Sequence, residues 1–362
     1  MISGKTYIFK ALAYNFVDID DNVLFFNREV KAGEGTEWPL SADYNKAALP
    51  SELKTELEKW KSVAWLVIRN DSILYEQYWE EYSNNSISNS FSMAKSIVGV
   101  LTGIAIDEGE IKNIDQPVAD FLPEFKEGRK KNITIRNLLT MSSGLDWDEA
   151  YANPLSVTTE AYYGTDLYRI AVNQNAVNEP GKHFIYQSGN TQLLALVLEQ
   201  ATGMSLSDYA SERLWKPLHA MKDALWSLDK KDGREKAYCC FYSNARDFAR
   251  IGALYLHNGN MFGRQIVSPS YVKQSTTPAS ILDEGRKNEI YGYHWWLLEE
   301  ESEKIFYMRG ILGQYVVVIP GQNIVFVRLG HQRGDKNADG IPADLPVYIK
   351  GALHIANYNS NN

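Results

Sequence analysis

The residues best suited to chemistry are Ser92 and Lys95, in the stretch FSMAKSIVGV that runs from Phe91 to Val100. A polar, asparagine- and serine-rich segment ends here and an apolar helical pattern begins, so Ser92 falls in the first turn of an expected buried helix. Positions three apart share a helix face, with Cβ atoms roughly 5–6 Å apart. The lysine amine therefore reaches the serine hydroxyl, which puts a base beside a nucleophile. A serine and a lysine at this spacing occur by chance in many helices, and placement gives the pair its weight. A buried ammonium is costly unless it is hydrogen-bonded or has a function, and desolvation lowers its pKa toward that of a useful base. The structural alternative is a lysine that snorkels to the surface.

Two later stretches supply what the pair lacks. In HFIYQSGNTQLLALVLEQATG, Tyr186, Ser188 and Asn190 stand just before a helix. A tyrosine is a weak base alone, but a neighbouring ammonium stabilises its phenolate and lets it accept the serine proton. The bland reading of Tyr186 is a core aromatic. In YMRGILGQYVVVIP, Gly310 and Gly313 interrupt a strand, a pattern that marks close backbone approach. The Ile311 amide between them, with the Ser92 amide at a helix N-terminus, would give two donors for an oxyanion.

Strands, then helices, then strands again must position these groups. Residues 1 to about 55 show little periodicity and read as an arm wrapped over the body. SVAWLVIRNDSILYEQYWE gives a hairpin around Asn70-Asp71. AKSIVGVLTGIAIDEG is a buried helix that stops at Gly109, and ITIRNLLTMSSGL gives a helix ending near Ser142-Ser143-Gly144. The tyrosine-rich region from Asp146 to Pro180 is weakly periodic and suited to lining a cleft. NTQLLALVLEQATG and LSDYASERLWKPL are further helices, and SNARDFARIGALYLHNG is an amphipathic one capped by Ser243 or Asn244. EIYGYHWWLLEE, KIFYMRG, GQYVVVIP and QNIVFVRLG follow as strands, with Tyr291, Tyr293, Trp295 and Trp296 expected mainly in the core. With no βα alternation, the expectation is an α+β fold: an antiparallel sheet flanked by helices and carrying a large helical insertion. The body would be residues 56–362, with α/β parts near 56–96 and 236–362 and a helical part near 97–235.

Composition excludes several functions. A net charge of −8 over 362 residues, without a basic stripe, argues against nucleic acid. The six histidines are scattered without paired spacing, so no metal is expected, and no P-loop, dinucleotide fingerprint or GxSxG elbow is present. A cofactor-free mechanism is expected. Cys239 and Cys240 are adjacent, and neighbours rarely reach relaxed disulfide geometry, so they say little about compartment. The opening MISGKTYIFKALAYNF lacks a signal-peptide layout but looks like a chain cut after an anchor or leader, with Ile8, Leu12 and Phe16 on one helical side. That favours a cell-envelope or periplasmic setting over the cytoplasm. An ordinary N-terminal helix explains the same residues.

Taken in order, these motifs resemble the serine β-lactamase and penicillin-binding protein superfamily over roughly residues 60–335. SMAKSIVGVLTG resembles its SxxK helix and EPGKHFIYQSGN its tyrosine motif; YQSGNTQLLA and RGILGQ are most similar to 6-aminohexanoate-dimer hydrolases and related esterases. The resemblance implies a β-lactamase/transpeptidase-like fold, Ser92 as acyl-forming nucleophile, Lys95 and Tyr186 as the proton-transfer pair, and the Ser92 and Ile311 amides as oxyanion hole. Ser188, Asn190, Arg309 and Gly310 become candidates for substrate contact. Two departures matter: Met308-Arg309-Gly310 stands where a lactamase has KTG or HxG, and Ser188 replaces the asparagine of YxN. Both move the expected substrates from β-lactams toward small linear amides, peptides or esters. The alternative is a penicillin-binding or cell-wall-peptide receptor, or a D-Ala-D-Ala peptidase-like protein, with little turnover.

Overall fold

The computed structural model describes residues 6–14, 16–300, 303–337 and 340–358. Residues 1–5, where the cue for a removed anchor begins, lie outside them. The chain opens with α1 (Tyr7–Tyr14), passes through a short strand β1 (Asn27–Val30) and α2 (Ser51–Lys59), and forms the hairpin β2 (Ser62–Arg69) and β3 (Ser72–Tyr78). Asn70 and Asp71 both adopt positive φ, which makes this the tight turn that suits strand twist. A two-residue strand β4 (Ser88–Asn89) leads into α3 (Met93–Asp107). Helices α4 (Ile135–Leu139), α5 (Val157–Tyr163), α6 (Leu167–Val172), α7 (Ser188–Thr202) and α8 (Leu206–Ala210) follow. Then come β5 (Ala224–Ser227), β6 (Phe241–Ser243), α9 (Ala245–Leu256), α10 (Pro269–Ser275), β7 (Trp296–Glu300), β8 (Glu303–Gly310), β9 (Gln314–Ile319), β10 (Ile324–Gly330) and α11 (Leu345–Ala356).

The main sheet has the order β7-β8-β9-β10-β2-β3, antiparallel throughout. Its central strands bury both faces, so they read as continuous apolar runs, and the two-residue period sends alternate side chains into separate cores. Trp65, Val67, Tyr315, Val317 and Phe326 pack toward α2 and α11, joining Leu53, Leu57, Tyr348 and Ile349. Leu66, Ile68, Val316, Val318, Val325 and Val327 pack on the other face, against α3 and α9. Each such side chain contributes about 1.5–3 kcal/mol on burial. Gly252 lets α9 lie close to the sheet, since a Cβ there would meet the side chains of Val325 and Val316 at 2.7 and 3.0 Å.

A second sheet, β1-β5-β6-β4, touches α8 through β1, and its strand β4 leads into α3. It draws β1 from the stretch read as an arm and β5 from the stretch read as helical, pairing Asn27 with Ser227 and Val30 with Ala224. α4 is shorter than its sequence suggests: it stops at Leu139, and Met141 turns to positive φ while Ser142 N donates to Asn137 O. Only Trp296–Glu300 of EIYGYHWWLLEE is strand. His294 adopts positive φ and its amide donates to Leu139 O, which ties the preceding turn to α4 instead of the sheet.

Candidate active site

Ser92 caps α3 with helical φ and ψ of −64° and −6°, directly after Phe91 at φ +42°. A left-handed aromatic residue is strained, and such strain persists only where its surroundings over-determine it. Here the fully buried Asn89 does so. Its Oδ1 accepts from Phe91 N (2.9 Å) and Cys240 N (3.1 Å), and its Nδ2 donates to Tyr242 Oη (3.0 Å). The serine is thereby presented at the end of an apolar helix with its hydroxyl toward the cleft.

Lys95, one turn on and 1% exposed, donates from Nζ to Ser92 Oγ at 2.9 Å and to Tyr238 O at 2.9 Å. The same Nζ lies 5.1 Å from the Tyr186 ring centroid and 5.7 Å from that of Tyr238. Ser92, Lys95 and Tyr186 are thus gathered at one point, with the ammonium enclosed by aromatic faces and a carbonyl. Tyr186 is itself wedged beside Tyr291 (6.1 Å, perpendicular) and Trp296 (5.3 Å), and Arg309 lies 3.4 Å over the Trp296 ring. Backbone bonds from Phe184 N to Leu282 O and Ile185 N to Met141 O hold the segment that carries Tyr186.

Beyond β8 the chain makes a tight loop, Ile311–Gly313, with Leu312 and Gly313 at φ +62° and +84°. The loop is clamped from below. Arg328 Nη1 donates to Leu312 O (3.0 Å) and Gly313 O (2.8 Å), and its Nε to Ser62 Oγ (2.9 Å). Gln314 Nε2 donates to Ile311 O and to Gly330 O. Gly310 comes so close to Ser90 O that a Cβ could not fit between them. Loop and helix start are therefore packed together, and Ser92 and Ile311 line the same two cavities.

The other candidates have distinct surroundings. Ser188 does not stand free: its amide and hydroxyl donate to the Glu149 carboxylate at 2.7 and 2.6 Å, and Tyr151 Oη donates to Glu149 at 2.5 Å. Asn190 is fully buried, with Nδ2 against Met141 Sδ at 3.4 Å, and it lines neither cavity. Arg309 and Gly310 line the second cavity with Glu149, Arg333 and Lys336, and Arg309 Nη1 donates to Gly340 O. Burial, and then the neighbouring positive charges of Arg309 and Arg333, lower the Lys336 pKa. Although Tyr151 is 52% exposed as a residue, its hydroxyl is tucked against Glu149, and enclosure there, and then the Glu149 charge, raise its pKa above the usual value.

Sequence reasoning missed Glu149, Arg328, Asn89 and the Tyr238 carbonyl. A backbone acceptor carries no side-chain signal, and Glu149 is one carboxylate in an irregular loop. Arg328 offered a cue, as a lone charge inside VFVRLG. Cys239 and Cys240, next to Tyr238, are joined by a disulfide (S–S 2.04 Å), against the expectation for adjacent cysteines. His294 is structural. Its ring nitrogens face Thr191 Oγ1 and Leu139 O at 3.0 Å each, and burial with the Lys95 charge lowers its pKa to about 3.

A family model described as Beta-lactamase matches residues 54–346, most of the chain. The chain belongs to the beta-lactamase family. Among beta-lactamase-family relatives, it is 29% identical over 296 residues to the 6-aminohexanoate-dimer hydrolase of Paenarthrobacter ureafaciens, covering 77% of this chain and 74% of that one. A solved Bacillus anthracis structure, assigned as a candidate 6-aminohexanoate-dimer hydrolase, superimposes with a TM-score of 0.79 at 21% identity, covering 95% of this chain and 93% of that one. A family VIII carboxylesterase superimposes with a TM-score of 0.66 at 16% identity, covering 88% and 99%. These superpositions establish a β-lactamase/transpeptidase-like fold. The protein is a beta-lactamase-family hydrolase related to 6-aminohexanoate-dimer hydrolase.

Proposed function

We propose that this hydrolase works through a covalent acyl-enzyme formed on Ser92, with small linear amides, peptides or esters as substrates. The observation that carries this reading is the 2.9 Å contact between Lys95 Nζ and Ser92 Oγ, inside a cluster that also contains Tyr186. Ser92 Oγ attacks the carbonyl carbon, and its proton passes to the Lys95–Tyr186 pair. The carbonyl oxygen takes up negative charge between the Ser92 and Ile311 amides, donors fixed before reaction and therefore free of reorganisation cost. Collapse expels the amine or alcohol, which takes the proton back from the pair. Water then attacks the acyl-Ser92 ester by the same route in reverse and regenerates the hydroxyl. The relatives named as 6-aminohexanoate-dimer hydrolase and carboxylesterase support a substrate without a fused lactam ring. The alternative occupant of the KTG position, Arg309, is bound to Gly340 O and stacked on Trp296, which supports the same preference.

The test is steady hydrolysis of p-nitrophenyl esters and of a linear amide by the parent and by Ser92→Ala. Sustained turnover by the parent that disappears in the variant is the expected result. A single burst without turnover points to a receptor, and equal rates in both proteins remove Ser92 from the mechanism.

A further inference from the structure

The two cavities that meet at Ser92 differ in chemistry. The one lined by Arg309, Arg333, Lys336 and Glu149 is charged. The other, of about 420 Å³, lies at the lower end of the range for small-molecule sites and has no charged residue among the described residues of its lining. Phe91, Ser92 and Ile311 line it together with Tyr162 and Tyr163 of α5. The start of the chain, which packs on α5, adds Leu12 of α1 and Phe16 just beyond it to the lining.

The arm is seated by other residues. Tyr7 is buried in the cluster that contains Tyr162 and Tyr163, and the Tyr14 ring stacks on that of Tyr163 with 6.4 Å between centroids. Leu12 and Phe16 contribute little to that seat, being 65% and 82% exposed, yet both border the cavity. Exposed apolar side chains at the rim of a cavity that also contains the candidate nucleophile mark a ligand surface.

We propose that Leu12 of α1 and Phe16 complete a binding site for an uncharged hydrocarbon or aromatic group of the substrate, attached on one side of the scissile carbonyl. This rests on Ser92 being the nucleophile. Leu12 and Phe16 then set how long a chain is accepted, and the preferred substrates are esters or amides with a medium-length apolar chain on the acid or the alcohol side, not those short on both sides.

Two ester series test it: p-nitrophenyl acetate, butyrate, hexanoate and octanoate, and acetates of methyl, butyl and hexyl alcohols. Each buried methylene should raise kcat/KM roughly three- to fourfold, on the order of 100-fold from acetate to hexanoate, in whichever series places its chain in the cavity. In Leu12→Ser/Phe16→Ser that slope should fall to less than half. The slope is read within each protein, so partial unfolding of the variant does not enter it. A flat or falling profile in both series for the parent overturns the proposal, and so does an unchanged slope in the variant. Ser92→Ala is run alongside: loss of hydrolysis there with a flat chain-length profile rejects this inference alone, whereas retained hydrolysis rejects the nucleophile itself.

Discussion

Gly310→Ala should separate catalysis from binding by a single methyl group. A Cβ at this position has no room: it would press on Ser90 O and lie 3.0 and 3.2 Å from Cβ and Cγ of Gln314. Gln314 has little freedom to move, because its amide group bonds Ile311 O, Gly330 O and Gly330 N. Ser90 O is fixed as well, since it accepts from Met93 N at 3.1 Å and Ser90 N donates to Phe241 O at 2.8 Å. The strain must therefore be relieved by separating the Ile311 loop from the start of α3, which carry the two proposed oxyanion donors. Overpacking of this kind costs about 1–3 kcal/mol in stability. Loss of one aligned oxyanion donor costs about 10²–10³ in kcat. The assay is kcat and KM on p-nitrophenyl hexanoate, with active sites counted by fluorophosphonate titration and stability followed by thermal unfolding. The expected pattern is a fall in kcat of roughly 100-fold or more, KM changed less than about threefold, and a lowered Tm. A variant that loses Tm but keeps kcat within threefold of the parent would refute the role of this contact in aligning the oxyanion donors.

Three further outcomes follow from named contacts. Lys95→Met should lower kcat by about 10²–10⁴ on amide and ester alike, because it removes the hydrogen bond to Ser92 Oγ; unchanged pre-steady-state acylation would contradict it. Arg328→Lys has one nitrogen where arginine uses three, Nη1 for Leu312 O and Gly313 O, Nε for Ser62 Oγ and Nη2 for Trp60 O, so the loop loses its anchorage and kcat should fall roughly 10- to 100-fold with KM nearly kept, read against circular dichroism to show that the fold persists. Lys236 is fully buried, bonded to Leu228 O and seated over Phe25, and burial lowers its pKa to about 7. Its unfolded value is near 10.5, so the unfolded chain binds the extra proton between these limits and stability rises with pH from about 7 to 10.5. Lys236→Met should flatten that rise, with a gain on the order of 5 kcal/mol below pH 7 that shrinks toward pH 10.5 in urea unfolding; parallel pH profiles in the two proteins would refute it.

The parts of the fold legible in the sequence were those whose own pattern fixes them. The apolar run after Ser92, the glycine stops at Gly109 and Gly203, and the apolar strand runs separated by turn residues from Lys304 to Gly330 carry their pattern locally. Pairing over long distances carries no such mark. β1 has four residues and finds its partner some 200 positions later, so NREV looks like any other piece of an arm. The candidate site divides in the same way. Ser92, Lys95, Tyr186 and Ile311 were visible because each belongs to a motif of residue types, and the structure gathers them around one cleft. Glu149, which holds Ser188 and Tyr151, and the Tyr238 carbonyl, which shares Lys95 with Ser92, enter only through tertiary folding. Asn190 looked like a cleft residue from its place after Tyr186, but the turn of α7 directs it inward to Met141. A helix repeats every 3.6 residues, so position alone does not say which side of it meets the cleft.

The central claim is that an acyl group becomes covalently attached to Ser92 during turnover. Rapid acid quench of the parent mixed with p-nitrophenyl hexanoate, followed by intact-mass and peptide mass spectrometry, measures this directly. A mass increase equal to one hexanoyl group, located on the peptide containing Ser92 and missing in Ser92→Ala, is the predicted result. Turnover with no adduct at any quench time, together with no fluorophosphonate label on Ser92, or an adduct on a different residue, would contradict it.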